Sequence, residues 1–493
     1  MPDLSSPNDA ARAHHQVTFA VLAAGVAAFA LLQSLVTPVL PTLQHALHTS
    51  QSTVTWVLTA YLLSASIFTP IIGRIGDAVG KKRMFVVTLV ALAVGSLVAA
   101  LATDVKVMIV ARVIQGVGGG VLPLAFGIVR DEFPRDKVSG AVGLLAALTA
   151  VGAGFGIVLA GPIVDALDYH WLFWIPMIIV VLAGIAAHFV VPESPVRVPG
   201  RISVLPALLL SAWLVCLLLA LSQGPSWGWG SGRTIGLLAA AVVLAGVWVL
   251  VEHRSKAPLI DMRMMRLPAV WTTNLVALLT GVGMYATFAF LPEFVQTPRS
   301  AGYGFGSSIT GSGLLLLPSS ITMFVVGLLA GRLTRRLGAK TLVVAGMAIT
   351  VVAFTLLAFA HDHTWQVYLA TAIQGVGFGL AFSAMSALIV GAVAPEQTGV
   401  ASGMNANIRT IGGSIGAALM ASIVTSNPGI GGLPREAGYV HGFTFLAVAS
   451  VLAALAGLLI PTTRTSSVPV EDEPEHAELA LVAAGTVVGD KPE

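Results

Sequence analysis

Residues 73–82 read GRIGDAVGKK, and residues 331–340, placed 258 positions later, read GRLTRRLGAK. A second segment recurs at almost the same distance, because IQGVG at 114–118 returns at 373–377, 259 positions later. A third pair of segments shares two glycines at an offset of 260, namely Gly152 and Gly156, then Gly412 and Gly416. Three nearly equal offsets predict that the chain is built from two parallel copies of one unit.

The composition indicates whether these copies fold in water or in a lipid bilayer. The chain has 493 residues, of which 56% are hydrophobic and 10% charged, and its mean hydropathy is +0.89. Soluble domains carry about 25% charged residues, so this chain could not cover a water-facing surface. A soluble enzyme, a nucleic-acid-binding protein and a disordered scaffold are excluded. The single cysteine, Cys216, excludes an intramolecular disulfide.

Long apolar runs, separated by charged or Pro- and Gly-rich breaks, give fourteen predicted spanning helices. In lipid a run of this length must satisfy its own backbone hydrogen bonds, which a helix does within one segment. The predicted spans are 17–40, 53–76, 84–103, 107–129, 139–164, 171–191, 203–222, 233–252, 270–292, 309–331, 341–360, 365–391, 399–424 and 440–461. The first run is longer than a signal-peptide core, so we interpret it as a span.

The positive charges fall on one side of the predicted membrane. With the N-terminus placed inside, 20 of the 26 Lys and Arg residues lie on the inner side and 4 on the outer side, while Arg112 and Arg409 lie within spans. The positive-inside rule therefore predicts that both termini are cytoplasmic. We expect a multi-pass protein of the plasma (inner) membrane.

The repeat and the spans together predict a domain order. The second to sixth spans correspond to the tenth to fourteenth, so a six-helix unit is duplicated and two helices are inserted between the copies. The predicted parts are a cytoplasmic N-terminal segment at 1–16, a six-helix bundle at 17–193, two inserted helices with linkers at 194–268, a second six-helix bundle at 269–464 and a disordered acidic cytoplasmic tail at 465–493. Many secondary transporters have such repeats, with the substrate path at their interface.

Three motifs carry a resemblance to a known family. Residues 73–82 match G-x-x-x-D-x-x-G-[RK]-[RK] at every fixed position, the fourth span matches R-x-x-Q-G-x-G, and the second span matches W-x-x-x-x-Y. The residues of the last two motifs are Arg112, Gln115, Gly116, Gly118, Trp56 and Tyr61. The chain resembles the major facilitator superfamily along essentially its whole length, and within it the drug:proton antiporters with fourteen spanning helices. The resemblance implies an all-α membrane protein with two pseudo-symmetric six-helix bundles in a 6 + 2 + 6 order.

Two positions depart from the family pattern. The fifth-helix antiporter signature G-x-x-x-G-P-x-x-G-G is matched only at its first, second and last glycines, by Gly152, Gly156 and Gly161. Ile157 replaces its proline and Ala160 replaces the first of its paired glycines. In the first helix Leu32 stands where the fourteen-helix group has an aspartate, so the resemblance gives no basis for predicting cationic substrates.

The resemblance implies a gate at the cytoplasmic side. Asp77 would hold that side closed in the outward-open state, since a carboxylate there can face the positive end of a neighbouring helix. The alternative is a solvated loop that is fixed only by topology. The predicted gate residues are Gly73, Asp77, Gly80, Lys81 and Lys82, with Arg74 in the same cluster.

Two arginines lie within predicted spans, where a charge costs about 3 kcal/mol on insertion scales and usually faces a polar cavity. The resemblance implies that Arg112 couples proton movement to transport, and the alternative is pairing with backbone carbonyls at a helix contact. Arg409 follows Asn405 by one turn on the same face. That pair is either cavity lining or an interhelical contact.

A cavity between the copies would combine apolar walls with scattered hydrogen-bonding groups, which suits bulky hydrophobic ligands. Its predicted lining residues are Gln33, Thr37, Trp56, Tyr61, Gln115, Asn274, Tyr285, Asn405 and Arg409. Small residues let spanning helices approach closely. The predicted packing glycines are Gly116, Gly118, Gly152, Gly156, Gly412 and Gly416.

The carboxylates give the last prediction about sites. Of 23 acidic residues, none lies at the middle of a predicted span. Glu293, which follows Pro292 at the outer end of the ninth span, is the carboxylate predicted to face the cavity mouth and to carry the proton. The alternative is an exposed glutamate at a helix end.

The sequence therefore predicts a proton-coupled exporter of hydrophobic drug-like compounds that works by alternating access. Two alternatives remain open, a dedicated exporter of one endogenous metabolite or lipid and a non-transporting membrane scaffold or sensor. We expect no enzymatic activity, cofactor, metal or nucleic-acid partner. We expect a monomer whose partners are a small hydrophobic substrate, protons and the lipid bilayer.

Overall fold

A computed structural model describes residues 7–54, 56–193, 204–255, 258–426 and 433–461. Every regular element in these ranges is a helix, and 14 of the helices are long and apolar enough to cross a membrane. The predicted all-α fold with fourteen spans is confirmed. The predicted tail at 465–493 lies outside the described residues, as do residues 1–6.

The fourteen long helices are numbered in chain order. They are α1 (Pro7–Ser34), α2 (Trp56–Val79), α3 (Lys81–Ala100), α4 (Val105–Glu132), α5 (Arg135–Ala166), α6 (Trp171–Val190), α7 (Val204–Trp227), α8 (Gly232–Arg254), α9 (Pro268–Gln296), α10 (Ile309–Leu337), α11 (Ala339–Phe359), α12 (Thr364–Ala392), α13 (Thr398–Thr425) and α14 (Glu436–Leu458). The short α-helices are Leu40–Ala46, Gln51–Val54 and Met262–Met265, and short 3-10 turns occur at Thr37–Val39, Arg299–Ala301 and Pro395–Gln397.

Two helices differ from the predicted spans for local reasons. α1 ends at Ser34 rather than at residue 40, since Pro38 and Pro41 follow and a proline cannot donate a helical hydrogen bond. α4 is α-helical over Val105–Gly116, tightens to a 3-10 turn over Val117–Gly120 and is α-helical again over Val121–Glu132. Three consecutive glycines lie in that turn, and glycine is a poor former of helix interiors.

The two copies repeat the same helix contacts. In the first half α1 packs on α5 and α6, α2 packs on α4, and α3 packs on α4 and α6. In the second half α9 packs on α13 and α14, α10 packs on α12, and α11 packs on α12 and α14. Each pair of the first half therefore recurs eight helices later. The predicted pair of pseudo-symmetric six-helix bundles is confirmed.

The halves meet along two equivalent seams. On one side α5 lies against α10, and a Cβ on Gly331 would lie 2.8 Å from the Cα of Gly140. On the other side α2 lies against α13, and the inserted helix α7 contacts both of them while α8 packs on α7. Only 17% of the most apolar segment of α8 is buried, against 72% in α12, so α8 is an outer helix. The inserted pair thus covers one seam and leaves the other without such a cover.

Basic side chains are concentrated at one end of the bundle. Arg74, Lys81, Arg130, Lys137 and Arg332 lie there, where α2, α4 and α10 end and α3 and α5 begin. We call this end the basic end and the other the opposite end.

Candidate functional site

Asp77 connects the two halves at the basic end. Its carboxylate, near the end of α2, accepts hydrogen bonds from the backbone N–H groups of Gly399 at 3.3 Å and Val400 at 3.1 Å, in the first turn of α13. The side chain of Asp77 is fully buried. The first N–H groups of a helix have no helical partner and carry partial positive charge, so they suit a buried carboxylate. Asp77 therefore caps a helix of the opposite half.

Lys81 lies next to this contact at the start of α3. Its ammonium is fully buried, 2.7 Å from Oδ2 of Asp131 and 3.9 Å from Oδ1 of Asp77. It also donates a hydrogen bond to the carbonyl of Pro395 at 3.3 Å, in the connection between α12 and α13. A buried charge is tolerated when it is paired and hydrogen-bonded. Lys81 provides that pairing for two carboxylates.

Arg130, at the end of α4, reaches the same connection. Its guanidinium donates to the carbonyl of Val390, to the hydroxyl of Thr398 at 2.8 Å and to the carbonyl of Val393 at 2.6 Å. The last carbonyls of a helix lack helical partners, and the planar guanidinium presents several donors to them. Asp77, Lys81, Arg130 and Asp131 are together called the latch.

Only half of the latch, Asp77 and Lys81, is among the gate residues predicted from the sequence. Arg130 and Asp131 were not predicted as gate residues, although they stand in a charged triplet that ends the fourth span. That triplet was the available signal, because charged residues at the end of one span lie near those at the ends of its neighbours.

The other predicted gate residues lie beside the latch. A Cβ on Gly73 would lie 2.5 Å from the carbonyl oxygen of Gly399, so glycine permits this approach of α2 to α13. Gly80 joins α2 to α3 with a φ of +130°, which a residue with a side chain rarely adopts. Lys82 is half-buried and forms no salt bridge within the residues described.

Arg112 is buried inside the first half, toward the opposite end. Its guanidinium donates to the carbonyl of Val57 at 3.1 Å, to Oε1 of Gln115 at 2.7 Å and to the carbonyl of Leu32 at 3.4 Å. The ring centroid of Tyr61 lies 4.3 Å from its Cζ, and Gln115 in turn donates to α3. Arg112, Tyr61 and Gln115 therefore form one network that joins α1, α2, α3 and α4. The contacts of Arg112 with backbone carbonyls fit the helix-contact interpretation.

The polar pair predicted in α13 divides into two roles. Asn405 donates from Nδ2 to Oδ1 of Asn274 at 2.9 Å and so joins α13 to α9. Arg409 lies with its Cζ 4.2 Å from the ring centroid of Phe382 in α12, and it is 7% exposed. Both Asn405 and Arg409 line a cavity of about 10 Å³ between α4 and α12–α13. That volume holds about one water molecule, so the halves are closed around it.

The remaining predicted lining residues lie elsewhere in this conformation. Thr37 is exposed in the turn after α1, while Gln33, Trp56 and Tyr285 are half-buried and do not line this cavity. The structure brings Tyr61 and Gln115 to Arg112, and Asn274 to Asn405. It does not bring the nine residues into one open cavity.

All six predicted packing glycines lie at close helix contacts. A Cβ on Gly156 of α5 would overlap the hydroxyl of Ser34 in α1, and a Cβ on Gly416 of α13 would overlap the carbonyl of Val282 in α9. The same pairs of helices meet at Gly152 and at Gly412, while Gly116 and Gly118 meet α2 and α3. Equivalent glycines therefore pack on equivalent helices, as the offset of the repeat predicts.

Glu293 is exposed at the opposite end of α9, beside the hydroxyl of Tyr439 in α14. Within the described ranges that hydroxyl lies close to Glu293 but makes no hydrogen bond of ordinary geometry. The ring of Tyr439 lies in an aromatic cluster with Phe294 and Phe443. The structure thus places Glu293 within the second half, facing α14, and not at the cavity between the halves.

A sequence profile of the Major Facilitator Superfamily matches residues 22–302 and 273–491. The chain is 25% identical over 467 residues to the multidrug transporter protein MdtP of Bacillus subtilis, covering 88% of this chain and 85% of that protein. It is 28% identical over 433 residues to the tetracenomycin C resistance and export protein of Streptomyces glaucescens, covering 86% of this chain and 78% of that protein.

A solved structure shares the fold. The human organic anion transporter MFSD10 covers 90% of this chain and 99% of its own, with a TM-score of 0.65 and 17% sequence identity. At this identity the likeness concerns the arrangement of the helices alone. The matched profile, the fourteen spans and the duplicated bundle together assign the chain to the Major Facilitator Superfamily of membrane transporters.

Proposed function

We propose that this transporter exports hydrophobic drug-like compounds in exchange for protons by alternating access. The latch is the observation that carries the proposal. It places four charged side chains, three of them fully or almost fully buried, where two halves meet at one end. Burying charged side chains is costly even when they are paired, and clusters of this kind are frequent at functional sites. Polar contacts of this kind can break and re-form as the halves rock.

We assign the basic end to the cytoplasm, following the positive-inside rule. Both termini then lie in the cytoplasm of a plasma-membrane protein, and the closed latch corresponds to a state that is shut toward the cytoplasm. Because both seams lie within one chain, a monomer is a complete transporter.

Opening at the basic end requires Asp77 to leave the N–H groups of Gly399 and Val400. A proton on Asp77 would remove its charge, which weakens these hydrogen bonds and the attraction to Lys81. Proton binding and opening would thereby be linked at the latch. Glu293 is the proposed proton-carrying group at the opposite end, and Arg112 is a positioning residue that holds α1, α2 and α4 together.

Two observations support bulky organic substrates. Relatives of this chain bear the names of a multidrug transporter and of a tetracenomycin C exporter. Leu32 occupies the position of the family aspartate, and the described spans hold no carboxylate at mid-span. We therefore expect no negatively charged side chain that binds cationic substrates in the middle of these spans.

Arg409 favours a second candidate, export of one endogenous metabolite or lipid. It places a permanent positive charge at the cavity between the halves. A fixed charge improves the binding of one ligand chemistry and disfavours others.

The test uses everted membrane vesicles that contain the protein, with an imposed proton gradient and a panel of unrelated dyes and antibiotics. We expect gradient-dependent uptake of several compounds, which stops when an ionophore collapses the gradient. Vesicles with Asp77→Asn and vesicles without the protein are the controls. Uptake of a single compound would favour the second candidate, and uptake of none would contradict proton-coupled export.

A further inference from the structure

The second copy of the duplicated segment reverses the charge of the latch aspartate. Arg335 in α10 stands 258 positions after Asp77 in α2. The backbone contact beside it is repeated, since Gly331 of α10 meets Gly140 of α5 much as Gly73 of α2 meets Gly399 of α13. The two seams are thus equivalent in their glycine contacts, but one has a carboxylate and the other a guanidinium.

A cavity of about 730 Å³ opens at this second contact, between α1, the end of α4, α5 and α10. Its walls carry three cations, Lys137, Arg332 and Arg335, and no carboxylate among the lining residues described. None of the three forms a salt bridge with a side chain that the structure describes. Like charges held together without a counter-ion repel one another. An anion is therefore the ligand that would complement the charges described at this site.

Apart from His15 and Gln16 of α1, the rest of the wall is apolar. Phe19 of α1 and Phe133 at the end of α4 meet edge to face, with ring centroids 6.2 Å apart. Leu144 of α5 and Leu328 of α10 line the cavity deeper along their helices than the cations do. Leu328 is 54% exposed. Cations near the helix ends and apolar side chains further in match the order of a phospholipid headgroup and its acyl chain.

We propose that this cavity binds the headgroup of an anionic phospholipid. Its phosphate lies between Lys137, Arg332 and Arg335, at the position that the carboxylate of Asp77 occupies at the other seam. One acyl chain lies along Phe19 and Leu328. The lipid thereby ties α5 to α10 and supplies a second latch, which the described side chains do not form at this seam. Since the basic end faces the cytoplasmic leaflet in the proposed orientation, anionic lipids are at hand there.

The test measures lipid binding by the purified full-length chain in neutral detergent, with native mass spectrometry and titration. Phosphatidylglycerol is compared with phosphatidylcholine and with inorganic phosphate. We expect phosphatidylglycerol to bind about tenfold more tightly than phosphatidylcholine, a difference of about 1.4 kcal/mol. Inorganic phosphate, which has no acyl chain, should not displace it at similar concentration.

Charge-removing variants locate the site. Combining Lys137→Gln, Arg332→Gln and Arg335→Gln should lower the affinity for phosphatidylglycerol by about tenfold. Arg336→Gln is the matched control, because Arg336 is a neighbouring exposed cation that does not line the cavity. Arg335→Asp alone, at an exposed position, should also lower the affinity. The thermal midpoint without lipid checks that each variant is folded.

Four results would overturn the proposal. Equal binding of the two phospholipids, or unchanged affinity in Arg335→Asp and in the triple variant, would exclude an anion site here. Displacement by inorganic phosphate would indicate a soluble anion instead of a lipid. If Glu471→Gln, Asp472→Asn and Glu473→Gln together raised the affinity by about tenfold, the acidic tail would be the occupant. No transport is measured, so the outcome is independent of the proposed export.

Discussion

Val400 donates its backbone N–H to the carboxylate of Asp77 at 3.1 Å, across the interface between the halves and over 323 positions of sequence. Val400 lies two residues into α13, and Asp77 lies two residues before the end of α2. The halves can separate at the basic end only when this hydrogen bond breaks. The bond thus links a titratable side chain directly to the conformation of the transporter.

Replacing Asp77 by alanine should open the basic end. The change leaves the buried N–H groups of Gly399 and Val400 without an acceptor, which costs about 2 kcal/mol and shifts the closed-to-open ratio by about thirtyfold. The measurement is the rate at which an aqueous maleimide modifies Ser402→Cys in a Cys216→Ser background, since Ser402 lines the cavity between the halves. Lys82→Ala is the control and should leave the rate unchanged. An unchanged rate in Asp77→Ala would remove Asp77 from the latch.

Replacing Arg112 by alanine should abolish gradient-driven transport in a folded protein. The variant removes the donors that hold the carbonyls of Val57 and Leu32, so α1 and α2 lose these hydrogen bonds to α4. Arg112→Lys retains the charge without the planar fork and should recover part of the activity. Uptake into vesicles is divided by the amount of the variant that can be purified from the same membranes as monodisperse protein. Full activity in Arg112→Ala would leave Arg112 as packing alone.

Replacing Glu293 by glutamine should uncouple export from the proton gradient while equilibrium binding of substrate stays nearly intact. Glutamine keeps the size of the side chain and removes its capacity to bind and release a proton. Transport is measured at several imposed gradients. Glu436→Gln is the matched control at the same end of the bundle, where Glu436 pairs with His361 at 3.0 Å. Gradient dependence that is the same in Glu293→Gln and in the unaltered chain would assign proton carriage to another group.

A methyl group at Gly412 should destabilise the second half. Its Cβ would overlap the carbonyl of Leu278 in α9, and such overpacking costs about 1–3 kcal/mol. Gly236→Ala in α8 is the control, because a Cβ there meets nothing within 4 Å. The thermal midpoint in detergent should fall for Gly412→Ala and be unchanged or higher for Gly236→Ala. Equal midpoints would show that α9 and α13 are loosely packed.

The helices could be predicted because the thickness of the bilayer sets the length of the apolar runs. The duplication could be predicted because equivalent motifs recur at a nearly constant offset. Gly156 and Gly416 show this, since their spacing alone predicts equivalent helix contacts. Asp77 could be predicted as a gate residue because its motif has an aspartate at a fixed position. The partners of Arg130 could not be predicted, because they are mainly backbone carbonyls about 260 positions away. Every residue type has a backbone carbonyl, so the sequence does not indicate which residues Arg130 contacts.

Coupled flux in proteoliposomes that contain only the purified chain tests the central claim most directly. A pH gradient is imposed across the membrane, and the movement of a dye transported in vesicles is recorded together with the pH of the lumen. Proton-driven export predicts that the dye accumulates against its own gradient on the acidic side, which the protons leave. Dye and protons then cross the membrane in opposite directions. Proton-driven export also predicts that Asp77→Asn abolishes both fluxes together. Dye movement that runs only down its own gradient, with no proton flux, would contradict proton-driven export.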